Sequence, residues 1–197
     1  MGDFKLGVMS SEQENGLKHE NGRQTMIDIL RTRRSIRKYE KKAIDGQSME
    51  IMKEALLRCP SSRGINPWTF IFVDEQDVLY RLSQVKEHGS HFLKDASLGI
   101  VVCGDETKSD VWVEDCSIAS IVVQLAAHSL GLGSCWIQIR NRNHSKERTA
   151  EEYVQELLDI PRNLKVESII SIGLPAETKK STPTKQLDYK KIKYNRY

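Results

Sequence analysis

The sequence predicts an α+β fold in which helices surround one central mixed sheet, and three observations carry that prediction. The hydrophobic pattern reads helix, helix, strand, helix, strand, helix, strand, helix, strand, which is not the strict alternation of a doubly wound parallel sheet. One segment, Val113 to Leu130, is too long for a strand and apolar nearly all round, as a helix buried on most sides must be. The length, 197 residues of which 39% are apolar, is one domain's worth of chain and buries roughly 70% of its unfolded surface.

Each element has a local reason. Thr25 suits a helix N-cap before Met26, Ile27, Ile29 and Leu30, and Gln47 to Leu57 repeats apolar residues at helical spacing before Pro60 stops it. Trp68 to Val73 is aromatic and β-branched, and Leu98 to Cys103 is a continuous apolar run; both read as strands, with a helix over Asp77 to Glu87 between them. After the long helix, Cys135 to Ile139 reads as a strand, Ala150 to Leu158 as an amphipathic helix and Val166 to Ile172 as the last strand. Residues 1–23 read as a polar tail rich in glycine, and 24–197 as a single domain that closes with an arm over about 175–197. That arm holds two prolines and seven basic residues against Glu177 and Asp188, so it lies on a surface or embraces a partner.

Composition excludes several classes. Thirty Lys and Arg against 27 Asp and Glu leave a net charge of +3, too balanced for a nucleic-acid binder, and no aromatics interleave the arginines. No run of about 18 apolar residues exists, and no basic stretch followed by an apolar one opens the chain, so the expectation is a cytoplasmic protein that does not enter membranes. The four cysteines form no C-x-x-C pair and the five histidines no ligand spacing, so neither a metal site nor a disulfide framework is expected.

Three short segments carry chemistry. Arg33-Arg34-Ser35-Ile36-Arg37 sets arginines around a hydroxyl, a pattern suited to a phosphate monoester because guanidinium groups donate paired, charge-assisted hydrogen bonds. By itself the same pattern also fits a solvated helix end. Cys59 to Trp68 holds two prolines, two serines and a glycine, a constrained loop that either presents hydroxyls and N–H groups to a ligand or is structural. Gly131-Leu-Gly-Ser-Cys-Trp-Ile-Gln-Ile139 makes a tight helix-to-strand turn. Neither a phosphate-cradling G-x-x-x-x-G-K motif nor a G-x-S-x-G elbow is present.

Taken in order, R-R-S-x-R, P-S-S…P-W, W-V-E-D at Trp112 to Asp115, G-L-G-S-C-W-I, I-G-x-P-A-E at Ile172 to Glu177 and the closing Y-N-R-Y resemble the FMN-dependent nitroreductase family over about residues 25 to 197. The resemblance implies an intertwined α+β homodimer with tightly bound FMN at the subunit interface and C-terminal segments crossing onto the partner. It places Arg33, Arg34, Ser35 and Arg37 around the flavin phosphate and ring edge, with Lys185 as a late phosphate contact. Pro60, Ser61 and Ser62 would come from the other subunit, with Asn66 where many members carry Gln. Trp136, Ile137, Gln138 and Ile139 would run beside the isoalloxazine, the N–H of Gln138 or Ile139 donating toward N5 and O4.

The activity so implied is hydride transfer from NAD(P)H through flavin N5 to a nitroaromatic, quinone or similar small-molecule acceptor in a ping-pong cycle, with no protein acid or base required. Alternatives on the same fold are a dehalogenase or flavin-degrading enzyme, or a flavin-binding protein without turnover. Beyond the family pattern, Arg140 or Arg142 is expected to attract the anionic part of reductant or substrate; an exposed loop is the other reading of that stretch.

Overall fold

The computed structural model describes residues 25–197; the expectation for residues 1–23 lies outside them. Among the described residues five α-helices and four strands follow in chain order: α1 (Met26–Thr32), α2 (Gly46–Leu57), β1 (Trp68–Val73), α3 (Gln76–Ser83), β2 (Leu98–Asp105), α4 (Trp112–Ser129), β3 (Gly133–Gln138), α5 (Ala150–Leu157) and β4 (Leu164–Gly173). The predicted sequence of elements is the observed one. Among the described residues no helix is long and apolar enough to cross a membrane, and no group of three His, Cys, Asp or Glu could hold a metal ion.

Three of these helices, α1, α2 and α5, begin where a short polar side chain satisfies a free N–H group. Thr25 and Asp28 close a capping box on α1, Asp45 accepts from the Ser48 N–H at 2.9 Å at the start of α2, and Thr149 and Glu152 form a second capping box on α5. Helix α3 stops at Ser83, before the predicted Glu87, because side chains take over the backbone groups there. The Ser83 hydroxyl donates to the Tyr80 carbonyl, and the Ser90 hydroxyl to that of Ser83.

The sheet order is β1-β2-β4-β3 and all three strand pairs are antiparallel; the parallel component is the single bridge between Ser35 and Ser134. The central position of β2 and β4 explains their apolar composition, since β2 is buried throughout and β4 from Val166 to Gly173. Both β3 and β4 begin two residues earlier than predicted, as pairing of Gly133 with Gly173 and of Leu164 with Asp105 extends the ladder past the apolar runs. One face packs on α3 and α5 through Leu79, Leu82, Val154 and Ile169; the other packs on α2 and α4 through Met52, Leu56, Val123 and Ile170.

The pairing of β2 with β4 slips between Val102 and Cys103. Val102 faces Ser168 while Cys103 faces Val166, which leaves Glu167 as an extra residue in a β-bulge.

Gly133 opens β3 under Ile36. A Cβ there would sit 2.8 Å from the Ile36 Cβ and Cγ2 atoms, closer than real side chains approach. Gly133→Ala should therefore cost about 1–3 kcal/mol by overpacking, read as a lower urea midpoint at unchanged slope.

Candidate functional site

The site begins where the chain leaves α1 and is laid along β3. The Ile36 N–H donates to the Ser134 carbonyl at 2.9 Å, and buried Tyr39 locks the segment by donating its hydroxyl to the Ile36 carbonyl at 2.6 Å beside the Ser171 hydroxyl at 2.7 Å. Burial pushes the Tyr39 hydroxyl far above its ordinary pKa, so it stays a neutral donor. The chain leaving β4 runs along the other side of this segment: the Glu40 N–H donates to Leu174 and the Ala176 N–H to Lys38, each at 2.9 Å.

These pairings gather positive charge. The Lys179 ammonium donates to the Ser35 carbonyl at 2.6 Å and lies 3.3 Å from the Glu177 carboxylate, which accepts the Arg37 N–H at 2.6 Å. That N–H is the main reason the Glu177 carboxyl titrates below its usual range. Arg34 donates from Nε to the Lys180 carbonyl and from Nη2 to the Thr182 hydroxyl, both at 3.0 Å. Arg33 caps α1 by donating its N–H to Ile29. Burial raises the Cys135 thiol, an effect opposed by Arg37, the Ser35 side chain, Lys179 and Arg33. On the preceding residue of the strand the Ser134 hydroxyl is buried and, among the described residues, has no hydrogen-bond partner, the kind of orphan a bound ligand satisfies.

The lysine that joins this cluster is Lys179. Lys185, the residue expected there, sits exposed in a short turn over Thr184–Gln186. Pairing of 174–176 with 38–40 brings the first basic residue of the arm to Ser35 and carries later ones past it.

At the far end of β3, Trp136 and Gln138 are half-buried and joined by a bond from the indole N–H to the Gln138 carbonyl oxygen at 2.9 Å. Gln138 Nε2 in turn reaches the Arg140 carbonyl at 3.1 Å and Glu167 Oε1 at 3.3 Å. Ile137 is buried in the core. Ile139 corrects an expectation: its side chain is fully buried in the same core cluster and its N–H donates to the Glu167 carbonyl at 3.2 Å. Strand alternation turns it inward with Ile137, so its N–H is engaged and its side chain faces no open site.

The loop Pro60 to Pro67 is clasped by its own side chains. The Ser61 hydroxyl donates to Asn66 Oδ1 at 2.6 Å and accepts the Asn66 N–H at 2.9 Å, while Arg63, Gly64 and Asn66 all have positive φ. Buried Asp115, on the first turn of α4, accepts the Ser62 N–H at 2.8 Å, and Arg63 pairs with Asp110. Among the described residues no hydrogen bond or ion pair joins this loop to the arginine cluster. Arg140 and Arg142 do come together, on a cleft of about 490 Å³ that Trp112, Thr149 and Lys165 also line, together with Glu106 and Glu151, which pair with Lys165. Arg140 lies over the Trp112 ring at 5.9 Å.

With the fold and this geometry in hand, the comparisons are decisive. The Nitroreductase family model matches residues 30–89 and 82–174. The chain belongs to the nitroreductase family. Among curated relatives, a "Putative NADH dehydrogenase/NAD(P)H nitroreductase" of Archaeoglobus fulgidus is 36% identical over 157 residues, 78% of this chain and 87% of that protein. One of the same name from Methanothermobacter thermautotrophicus is 36% identical over 165 residues, 81% of this chain and 83% of that protein. Among solved structures, an FMN-dependent nitroreductase from Clostridium difficile R20291 superposes with a TM-score of 0.86 at 46% identity, covering 87% of this chain and 99% of that one. The fold is thus the nitroreductase fold, and the protein is an oxidoreductase by family.

Sequence reasoning missed what Asp115, Tyr39 and Lys179 do. Only Asp115 left a signal, as an acidic residue in the first turn of a helix otherwise apolar. Asp115→Ala leaves the Ser62 N–H without its acceptor and should cost about 1–3 kcal/mol. Faster tryptic cleavage after exposed Arg63, with the rest of the chain intact, is the expected readout.

Proposed function

We propose that the protein is an FMN-dependent NAD(P)H oxidoreductase that works as a homodimer and passes hydride to a nitroaromatic, quinone or similar electron-poor acceptor in a ping-pong cycle. The observation that carries this is the cationic edge of β3: Lys179 donates to the Ser35 carbonyl, Arg33, Arg34 and Arg37 flank Ser35 in the chain, and the Ser134 hydroxyl, on the residue bridged to Ser35, is buried and among the described residues without a hydrogen-bond partner. This donor set fits the dianionic phosphate of FMN, which guanidinium pairs and a hydroxyl bind directionally. The side chains of Trp136 and Gln138 then lie along the same strand, Gln138 about 13 Å from Ser134 at 3.3 Å per residue, where the ring would be held. Bound FMN supplies the hydride-accepting and hydride-donating chemistry. The chain supplies binding, positive potential that favours a negative reduced ring, and orientation.

The homodimer reading has its own support. Met26, Ile27 and Leu30 of α1, together with Ile118 and Ile121 of α4, are apolar and exposed, as are Leu187, Tyr189, Ile192 and Tyr194 of the arm. Two helices that pack together and both expose apolar side chains suit a partner surface. On this reading Pro60, Ser61 and Ser62 reach the partner's flavin, consistent with a loop that has no bond to its own arginine cluster. The cleft of Arg140 and Arg142 suits the anionic part of the reductant or acceptor.

The purified protein should take up one FMN per chain, and NADH or NADPH should bleach it without oxygen, with the yellow colour restored by a nitroaromatic or quinone. A chain that binds no FMN overturns the proposal. Arg33→Ala and Arg37→Ala each remove a charge-assisted bond contributing about 1.5–3 kcal/mol, so FMN should bind roughly 10- to 100-fold more weakly, measured by flavin fluorescence. Arg140→Ala and Arg142→Ala should raise the KM of the anionic reactant with little change in kcat; an unchanged KM assigns that cleft no role.

A further inference from the structure

One buried acid is unused by the function so far. Glu167 is the extra residue of the β4 bulge, 4% exposed, and among the described residues its Oε2 has no hydrogen-bond partner. Its Oε1 accepts from Gln138 Nε2 at 3.3 Å, and its carbonyl accepts the N–H groups of both Ile139, at 3.2 Å, and Arg140, at 3.1 Å. Glu167 therefore holds the end of β3 through both its backbone and its side chain, and through Gln138 it reaches the Trp136 indole. Among the described residues no cation forms an ion pair with it. A buried carboxylate with one oxygen unpaired is far costlier as an anion than as a neutral acid.

We propose that Glu167 is a positioning residue that keeps its proton to higher pH than an exposed glutamate and, as the neutral acid, fixes Gln138 and Trp136 while keeping negative charge away from the end of β3. The consequence for flavin rests on the function proposed above. Hydride arriving at a ring beside this strand brings negative charge, which an ionised Glu167 would oppose and a neutral one does not. Charged groups facing it come from each neighbouring element: Arg140 after β3 favours ionisation, whereas Glu114 of α4 and Glu151 of α5 oppose it. Burial is the largest influence and raises the carboxyl above its ordinary value. The bulge is the structural device, since an extra residue re-aims a side chain that regular alternation would place elsewhere.

The sign follows by linkage. A folded-state pKa raised above the unfolded value gives stability that is fully present below the unfolded pKa and lost as pH rises through the folded one. Wild type should therefore lose thermal stability relative to Glu167→Gln as pH increases from the ordinary carboxylate range upward, and the two should converge on the acid side.

The decisive measurement needs no flavin. An infrared difference titration, wild type minus Glu167→Gln, should show the carbonyl stretch of a protonated carboxylic acid persisting to higher pH than that of an exposed glutamate; its loss within the ordinary carboxylate range overturns the proposal. With FMN bound, the flavin midpoint potential of wild type should fall more steeply with pH than that of Glu167→Gln, the curves meeting at low pH. Glu167→Leu should perturb the flavin spectrum through a freed Gln138 where Glu167→Gln does not. Identical potential curves for wild type and Glu167→Gln overturn the role toward flavin. Failure to bind FMN at all removes that role together with the functional reading, and the infrared result still decides the proton.

Discussion

The hydrogen bond from the Ile36 N–H to the Ser134 carbonyl lays the segment after α1 along the otherwise open edge of β3. An edge strand carries a row of unpaired backbone groups, and here part of that row is spent on a segment dense in arginine. Gly133 permits the close approach of Ile36, and Tyr39 ties the far end of the segment to Ser171 of β4. The chain leaving β4 then pairs with the same segment and brings Glu177 and Lys179 to it. Three stretches distant in sequence thus share one short edge, and the charge they concentrate follows from backbone pairing.

The other end of β3 obeys a different logic. Its groups are polar and mutually bonded: Trp136 to Gln138, Gln138 to Glu167, Glu167 to the backbone of Ile139 and Arg140. One strand therefore has an electropositive end and a hydrogen-bonded end about four residues apart, and α4 covers the face between them. The Ser61–Asn66 clasp is fixed by Asp115 to the start of the same helix, so one helix both packs against β3 and sets the presentation of the loop.

Much of the fold was legible because periodicity records burial. The continuous apolar run of β2, the nearly featureless α4 and the capping residue Thr25 each have one physical reading, and the structure follows it. Motifs separated by a hundred residues, Arg33 to Arg37 and Gly131 to Ile137, were legible as a set only through family likeness, because no local rule pairs Ser35 with Ser134. What stayed hidden depends on register. The bulge that redirects Glu167 has no sequence marker, and the choice of Lys179 over Lys185 follows from where residues 174–176 pair. Ile139 was misplaced for the same reason: it lies one residue past the strand end, turned into the core.

The four cysteines carry a consequence of another kind. All are buried, and burial pushes the Cys59 thiol up to about 11 and that of Cys103 up to about 12, with Cys116 and Cys135 raised as well. Alkylating electrophiles attack the thiolate, and only where they can reach it. Burial and a raised pKa therefore both count against thiolate chemistry at all four sulfurs, so electrophiles in solution should modify this chain more slowly than they would a chain with an exposed cysteine.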